Sequence, residues 1–78
     1  NEIADLEIYP NPVSDNYVNI VTSISGDKLV ELFDLNGRKV ISKIISGDTL
    51  DISNVEPGFY ITQITIDAKS STFKLIIN

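Results

Sequence analysis

The run Lys28-Leu29-Val30-Glu31-Leu32-Phe33-Asp34-Leu35-Asn36-Gly37-Arg38-Lys39-Val40-Ile41-Ser42-Lys43-Ile44-Ile45 decides the fold. Its two halves, residues 28–35 and 38–45, alternate apolar with polar positions. The Asn36-Gly37 pair between them tolerates the positive φ that a tight hairpin needs. Two registers are open. In a two-residue turn Phe33 faces Val40; in a three-residue loop with Gly37 in a bulge, Leu32 faces Val40 and Asp34 faces Arg38. The bulged loop is preferred. It collects Val30, Leu32, Val40 and Ile44 on one side and leaves Glu31, Lys39 and Lys43 on the other, as a sheet with one buried face requires.

Toward the N-terminus, residues 17–22 form a second strand pattern, bounded by Ser14-Asp15-Asn16 and Ser25-Gly26-Asp27. Before it, residues 3–9 put Leu6 and Ile8 on one face and end at Pro10-Asn11-Pro12, where two prolines remove backbone donors. Toward the C-terminus, Ser46-Gly47-Asp48 leads into a short strand at 49–52, with Leu50 and Ile52 opposite Asp51. Residues 54–58 break it. The run 59–66 sets Tyr60, Ile64 and Ile66 against Phe59, Ile61, Gln63 and Thr65, as expected of a strand inside a sheet. After a turn at 67–71, residues 72–77 carry Phe73, Leu75 and Ile77 on one face and Thr72, Lys74 and Ile76 on the other. Seven strands with short, unequal links and no helix predict an all-β antiparallel sandwich.

Composition narrows the chemistry. The chain has 78 residues, six basic and eleven acidic side chains for a net charge of −5, and no Cys, His, Met or Trp. A folded chain of this mass exposes about 4,700 Å² against roughly 12,500 Å² unfolded, enough for one small core. Lacking Cys and His, it has no thiol chemistry, no Ser-His-Asp triad, no disulfide and none of the commonest zinc, copper or haem ligands. The acidic balance disfavours phosphate backbones and anionic lipid. No apolar run approaches a membrane span, and residues 1–10 lack the zones of a signal peptide. A chain without any Met is expected to be a piece of a larger polypeptide.

Catalytic and metal sites find little support in these residues. Asp34-Leu35-Asn36-Gly37 imitates part of an EF-hand loop, but Leu32 and Lys43 occupy the positions of its first and last ligands, so a hairpin turn is expected. Asp15, Asp27 and Asp48 lie in loops with no calcium motif around them. A carboxylate pair for hydrolysis, Asp48 with Asp51 or Glu31 with Asp34, needs a concave site that the pattern does not supply. No cofactor is expected, and the chain is not expected to be an enzyme. The terminal strand is expected to complete the core, to present an edge to another chain, or both.

Five segments in order carry a resemblance: Tyr9-Pro10-Asn11-Pro12 with Val13-Ser14-Asp15; residues 30–38 around Asp34 and Gly37; Leu50-Asp51-Ile52-Ser53; Pro57-Gly58-Phe59-Tyr60; and Lys74-Leu75-Ile76-Ile77. Together they resemble the type A C-terminal sorting domain of the type IX secretion system, across essentially the whole chain. The resemblance implies an immunoglobulin-like β-sandwich that serves as a cargo tag in Bacteroidota-type bacteria. It implies as partners an N-terminal cargo, the outer-membrane translocon and a sortase-like peptidase, with passage through the periplasm to the cell surface or medium. Residues 1–78 would be one sorting domain, with 1–5 as the linker and the region of cleavage. The family's motifs fall on Tyr9, Pro10, Asn11 and Pro12, on Asp34 and Gly37, on Gly58 and Tyr60, and on Lys74, Leu75, Ile76 and Ile77. The family often ends in a basic residue, whereas Asn78 closes this chain.

The glycines and prolines of these motifs suit structural roles. Lys74 and the terminal strand suit recognition, through backbone at an edge and alternating side chains, and the same edge makes a strand-exchanged dimer possible. The six aromatics keep a second reading open, a fibronectin-like spacer or carbohydrate-binding module of a secreted hydrolase.

Overall fold

A computed structural model describes Ile3 and residues 5–78. Seven strands follow in chain order: β1 (Glu7–Tyr9), β2 (Tyr17–Val21), β3 (Lys28–Asp34), β4 (Lys39–Ile45), β5 (Thr49–Asp51), β6 (Gly58–Ile66) and β7 (Lys69–Ile77). They form two antiparallel sheets, β1-β2-β5 and β4-β3-β6-β7, so the predicted sandwich is the fold. Period-two burial shows why. On β6, Tyr60, Thr62, Ile64 and Ile66 are buried while the residues between them are not. Val18, Ile20 and Leu50 from the small sheet, with Ile52 just beyond β5, face Val30, Leu32, Ile64, Leu75 and Ile77 from the large one.

The central hairpin has the expected loop and an unexpected strand. Gly37 N–H donates to Asp34 O at 3.0 Å, Asp34 N–H to Arg38 O at 2.9 Å, and Gly37 has φ +84°, as the three-residue bulged loop requires. Leu32, however, pairs with Ile41 rather than Val40, because the register slips again between Leu32 and Phe33. Val40 is thus an extra residue on β4. One inserted residue exchanges the faces beyond it, so Ile44 pairs with Leu29 on the outer side and is 67% exposed, while Lys43 pairs with Val30. The expected grouping of Ile44 with Val30 and Leu32 is corrected accordingly.

Other bounds shift modestly. β7 begins at Lys69 rather than Thr72, because Asp67-Ala68 closes a two-residue turn with Asp67 at φ +54° and Ile66 paired to Lys69. The first strand is shorter than expected. Of the residues expected to link to a cargo, Asn1, Glu2 and Ala4 lie outside the described residues. Ile3 is packed in the core, its N–H donating to Ser71 Oγ at 2.9 Å.

Candidate functional site

The Asp34 carboxylate organises the hairpin tip. Oδ1 accepts from the N–H of Arg38 at 2.9 Å and of Asn36 at 3.0 Å, and Oδ2 lies 3.2 Å from Arg38 Nε. The Arg38 N–H above all, then the Asn36 N–H and the guanidinium, hold its carboxyl below the usual range. This is turn chemistry, with two amides of the loop bound by one side chain. Asp51 repeats the device after β5, where the Ser53 N–H at 2.8 Å lowers its carboxyl, aided by the Lys43 charge. Asp48 instead binds Lys28, and Glu31 binds Lys39 at 2.7 Å. Each carboxylate of the two candidate pairs therefore has a different partner.

Gly58 and Tyr60 work as a unit. The Tyr60 hydroxyl donates to Glu56 O at 2.6 Å, which ties the loop before β6 to the core beneath it. Gly58 has φ +155°, and a Cβ there would sit 3.6 Å from the Tyr60 ring. Glycine thus allows the backbone angle, while a Cβ at that distance would make only ordinary contact with the ring. Two adjoining cavities of about 260 and 180 Å³ lie beside this corner and share Val40, Asn54 and Val55 as lining.

The N-terminal and C-terminal motifs, separate in sequence, meet on the outer edge of β7. The Asn11 carboxamide donates to Lys74 O at 2.9 Å and accepts from Ile76 N–H at 3.0 Å, filling two backbone positions that a neighbouring strand would fill. Val13 continues the pairing. Its N–H donates to Ile76 O at 2.7 Å, its carbonyl accepts from Asn78 N–H at 2.8 Å, and its side chain is fully buried. The expectation of unpaired edge backbone at Lys74–Ile77 is corrected here, because the chain supplies its own partner. Leu75 and Ile77 complete the core, as expected, while Lys74 is exposed and Ile76 half-buried on the other face. Tyr9, Pro10 and Pro12 stay exposed around the Asn11 clamp, and both X-Pro bonds are cis.

Lys28 was not anticipated by sequence reasoning. It is 4% exposed, and its Nζ donates to Gly47 O and Asp48 Oδ1, each at 2.8 Å. Its phase with Val30 and Leu32 was the available signal. At the end of the strand its stem lies on the core while the ammonium reaches the β4–β5 turn. The aromatics do not converge on one platform. Tyr60 is buried, Phe73 packs on the core, Tyr9 and Tyr17 lie on the small sheet, and Phe33 and Phe59 lie on the outer face of the large one. Among the described residues no cluster of three or more acidic side chains could hold a metal.

Residues 7–78 match the model described as the secretion system C-terminal sorting domain. The chain is also 33% identical, over 99% of its length, to part of the ulvan lyase NLR42 of Nonlabens ulvanivorans, and spans 15% of that longer protein. By the match over residues 7–78, essentially its whole length, the chain belongs to the C-terminal sorting domains of the type IX secretion system.

Proposed function

We propose that this sorting domain carries an N-terminal cargo from the periplasm through the type IX translocon to the cell surface or medium, and that a sortase-like peptidase then removes it near residues 1–5. The observation that carries this reading is the family match over residues 7–78. The matching segment of the lyase, a small part of a longer protein, supports a cargo outside the domain. In this reading the domain is a label and has no chemistry of its own. Asp34, Gly37, Gly58 and Tyr60 keep the label folded, and Tyr9, Pro10, Asn11 and Pro12 seat the cargo-side segment against β7. Leu75 and Ile77 anchor the terminal strand, leaving Lys74 and Ile76 for recognition.

The test is a fluorescent reporter with an ordinary Sec signal at its N-terminus and residues 1–78 at its C-terminus, in strains with and without the translocon. Translocon-dependent appearance at the surface or in the medium is the expected result, with mass spectrometry of the released cargo locating the cut. Periplasmic retention of a folded fusion in both strains overturns the reading. Deleting residues 74–78 is a poor probe of recognition, because it also removes Leu75 and Ile77 from the core. Lys74→Glu keeps both.

A further inference from the structure

Of the asparagines in this chain, one is followed by glycine. Asn11 precedes Pro12, whose nitrogen carries no proton, and Asn1, Asn16, Asn19 and Asn54 precede Glu2, Tyr17, Ile20 and Val55, whose side chains crowd the next amide. Asn36 precedes Gly37 at the exposed tip of the β3–β4 hairpin, and a Cβ built on Gly37 meets nothing within 4 Å. The Gly37 amide nitrogen is thus one backbone rotation from the side-chain carbonyl carbon of Asn36, in open solvent and with no side chain of its own in the way. An intramolecular attack of this kind is limited chiefly by orientation.

The Asp34 clamp withholds that orientation. Gly37 N–H points at Asp34 O, 3.0 Å away, and the amides on either side of it are bound as well, with Asn36 N–H and Arg38 N–H donating to Asp34 Oδ1 at 3.0 and 2.9 Å. To reach the side chain, the Gly37 nitrogen must swing about the Cα–C bond of Asn36, which breaks its bond to Asp34 O. The hairpin tip therefore reacts from an opened state, and the rate follows the population of that state.

We propose that Asn36 is the site of spontaneous deamidation in this domain and that the Asp34 clamp sets its rate. The Gly37 nitrogen loses its proton to water or hydroxide and forms a bond to Cγ of Asn36. The Cγ–Nδ2 bond breaks, and Nδ2 takes the electron pair and a proton from water to leave as ammonia. Water then opens the succinimide. Attack at the former side-chain carbonyl leaves aspartate, attack at the main-chain carbonyl leaves isoaspartate, and nothing is oxidised or reduced. The isoaspartate backbone runs through the former Cγ and is longer by a methylene, in a loop whose hydrogen bonds converge on Asp34. Either product sets a new carboxylate close to Asp34 and adds negative charge to a chain already at −5. The reaction thus marks permanently those molecules whose hairpin tip has been open. The inference stands on the hairpin alone and is independent of the sorting reading.

Timed incubation of the 78-residue chain in neutral buffer, followed by tryptic digestion and mass spectrometry, tests it. Trypsin cuts after Lys28 and Arg38, and peptide 29–38 holds Asn36 as its one asparagine and has no glutamine, so exchange of NH2 for OH is read at this site directly. In the folded chain Asn36 should convert several-fold faster than Asn11, Asn16, Asn19 or Asn54, giving aspartate and isoaspartate forms that chromatography separates. Asp34→Ala, shown to be folded by circular dichroism, should convert several-fold faster than the parent, and so should the parent held unfolded in urea. Faster conversion at another asparagine, or none at Asn36, overturns the site. An unchanged rate in folded Asp34→Ala overturns the clamp. Equal rates for the parent in buffer and in urea overturn it too, and that comparison depends on no variant.

Discussion

Replacing Thr62 with valine should make this domain more stable. Thr62 is 1% exposed on the core face of β6, paired by register with Leu32 on one side and Phe73 on the other, and its Oγ1 has no hydrogen-bond partner among the described residues. A buried hydroxyl left unpaired costs about 1–3 kcal/mol. Valine has nearly the same shape, keeps the branched Cβ that suits a strand, and puts a methyl group where the hydroxyl was. Allowing for imperfect repacking, the net gain is about 1–2 kcal/mol. A chain of this length has an unfolding entropy near 0.16 kcal/mol/K, so Tm should rise by roughly 6–12 °C. Urea titration followed by far-UV circular dichroism checks it, with a higher midpoint and an unchanged slope expected. Thr62→Ser is the companion, since it keeps the hydroxyl and loses the methyl, and it should destabilise. A midpoint for Thr62→Val equal to or below the parent's would refute the reasoning, because it would mean that the hydroxyl is satisfied in solution.

Three further outcomes follow from the same geometry. Asn11→Ala removes the side chain that binds Lys74 O and Ile76 N–H, so hydrogen exchange at the Ile76 amide should accelerate several-fold while amides in the middle of β6 keep their protection; equal exchange in both proteins would show that the clamp does not hold the strand. Tyr60→Phe loses the bond to Glu56 O while the ring stays, at a cost of about 1 kcal/mol, to be read from the urea midpoint. Acid should weaken the fold. Asp34 and Asp51 have lowered carboxyl pKa values in the folded state, so their contribution is present above the ordinary unfolded value near 4 and is lost as pH falls through the lower folded values. Denaturation series below pH 5 should show a loss of stability that is smaller in the Asp34→Asn, Asp51→Asn double variant.

Local chemistry made much of the fold legible in advance. Period-two alternation located all seven strands, Asn36-Gly37 located the hairpin tip, and the inward set on β6 was readable because a central strand has little freedom of phase. The ordered motifs carried the family. What the pattern left open depended on contacts distant in sequence. The extra residue at Val40 lies in an edge strand, where exposed ladder groups tolerate an insertion, and it sends Ile44 outward against its apolar character. Lys28 is buried because Asp48 and the Gly47 carbonyl come round from the next turn to meet it, and nothing in its immediate neighbours announces them. The end of β7 reads as an open edge until the side chain of Asn11 and the backbone of Val13, more than sixty positions away, are folded onto it. Strand identity is a local property of alternating side chains. Which edges are closed, which cations are covered and which apolar face remains outside are set by where the strands come to lie.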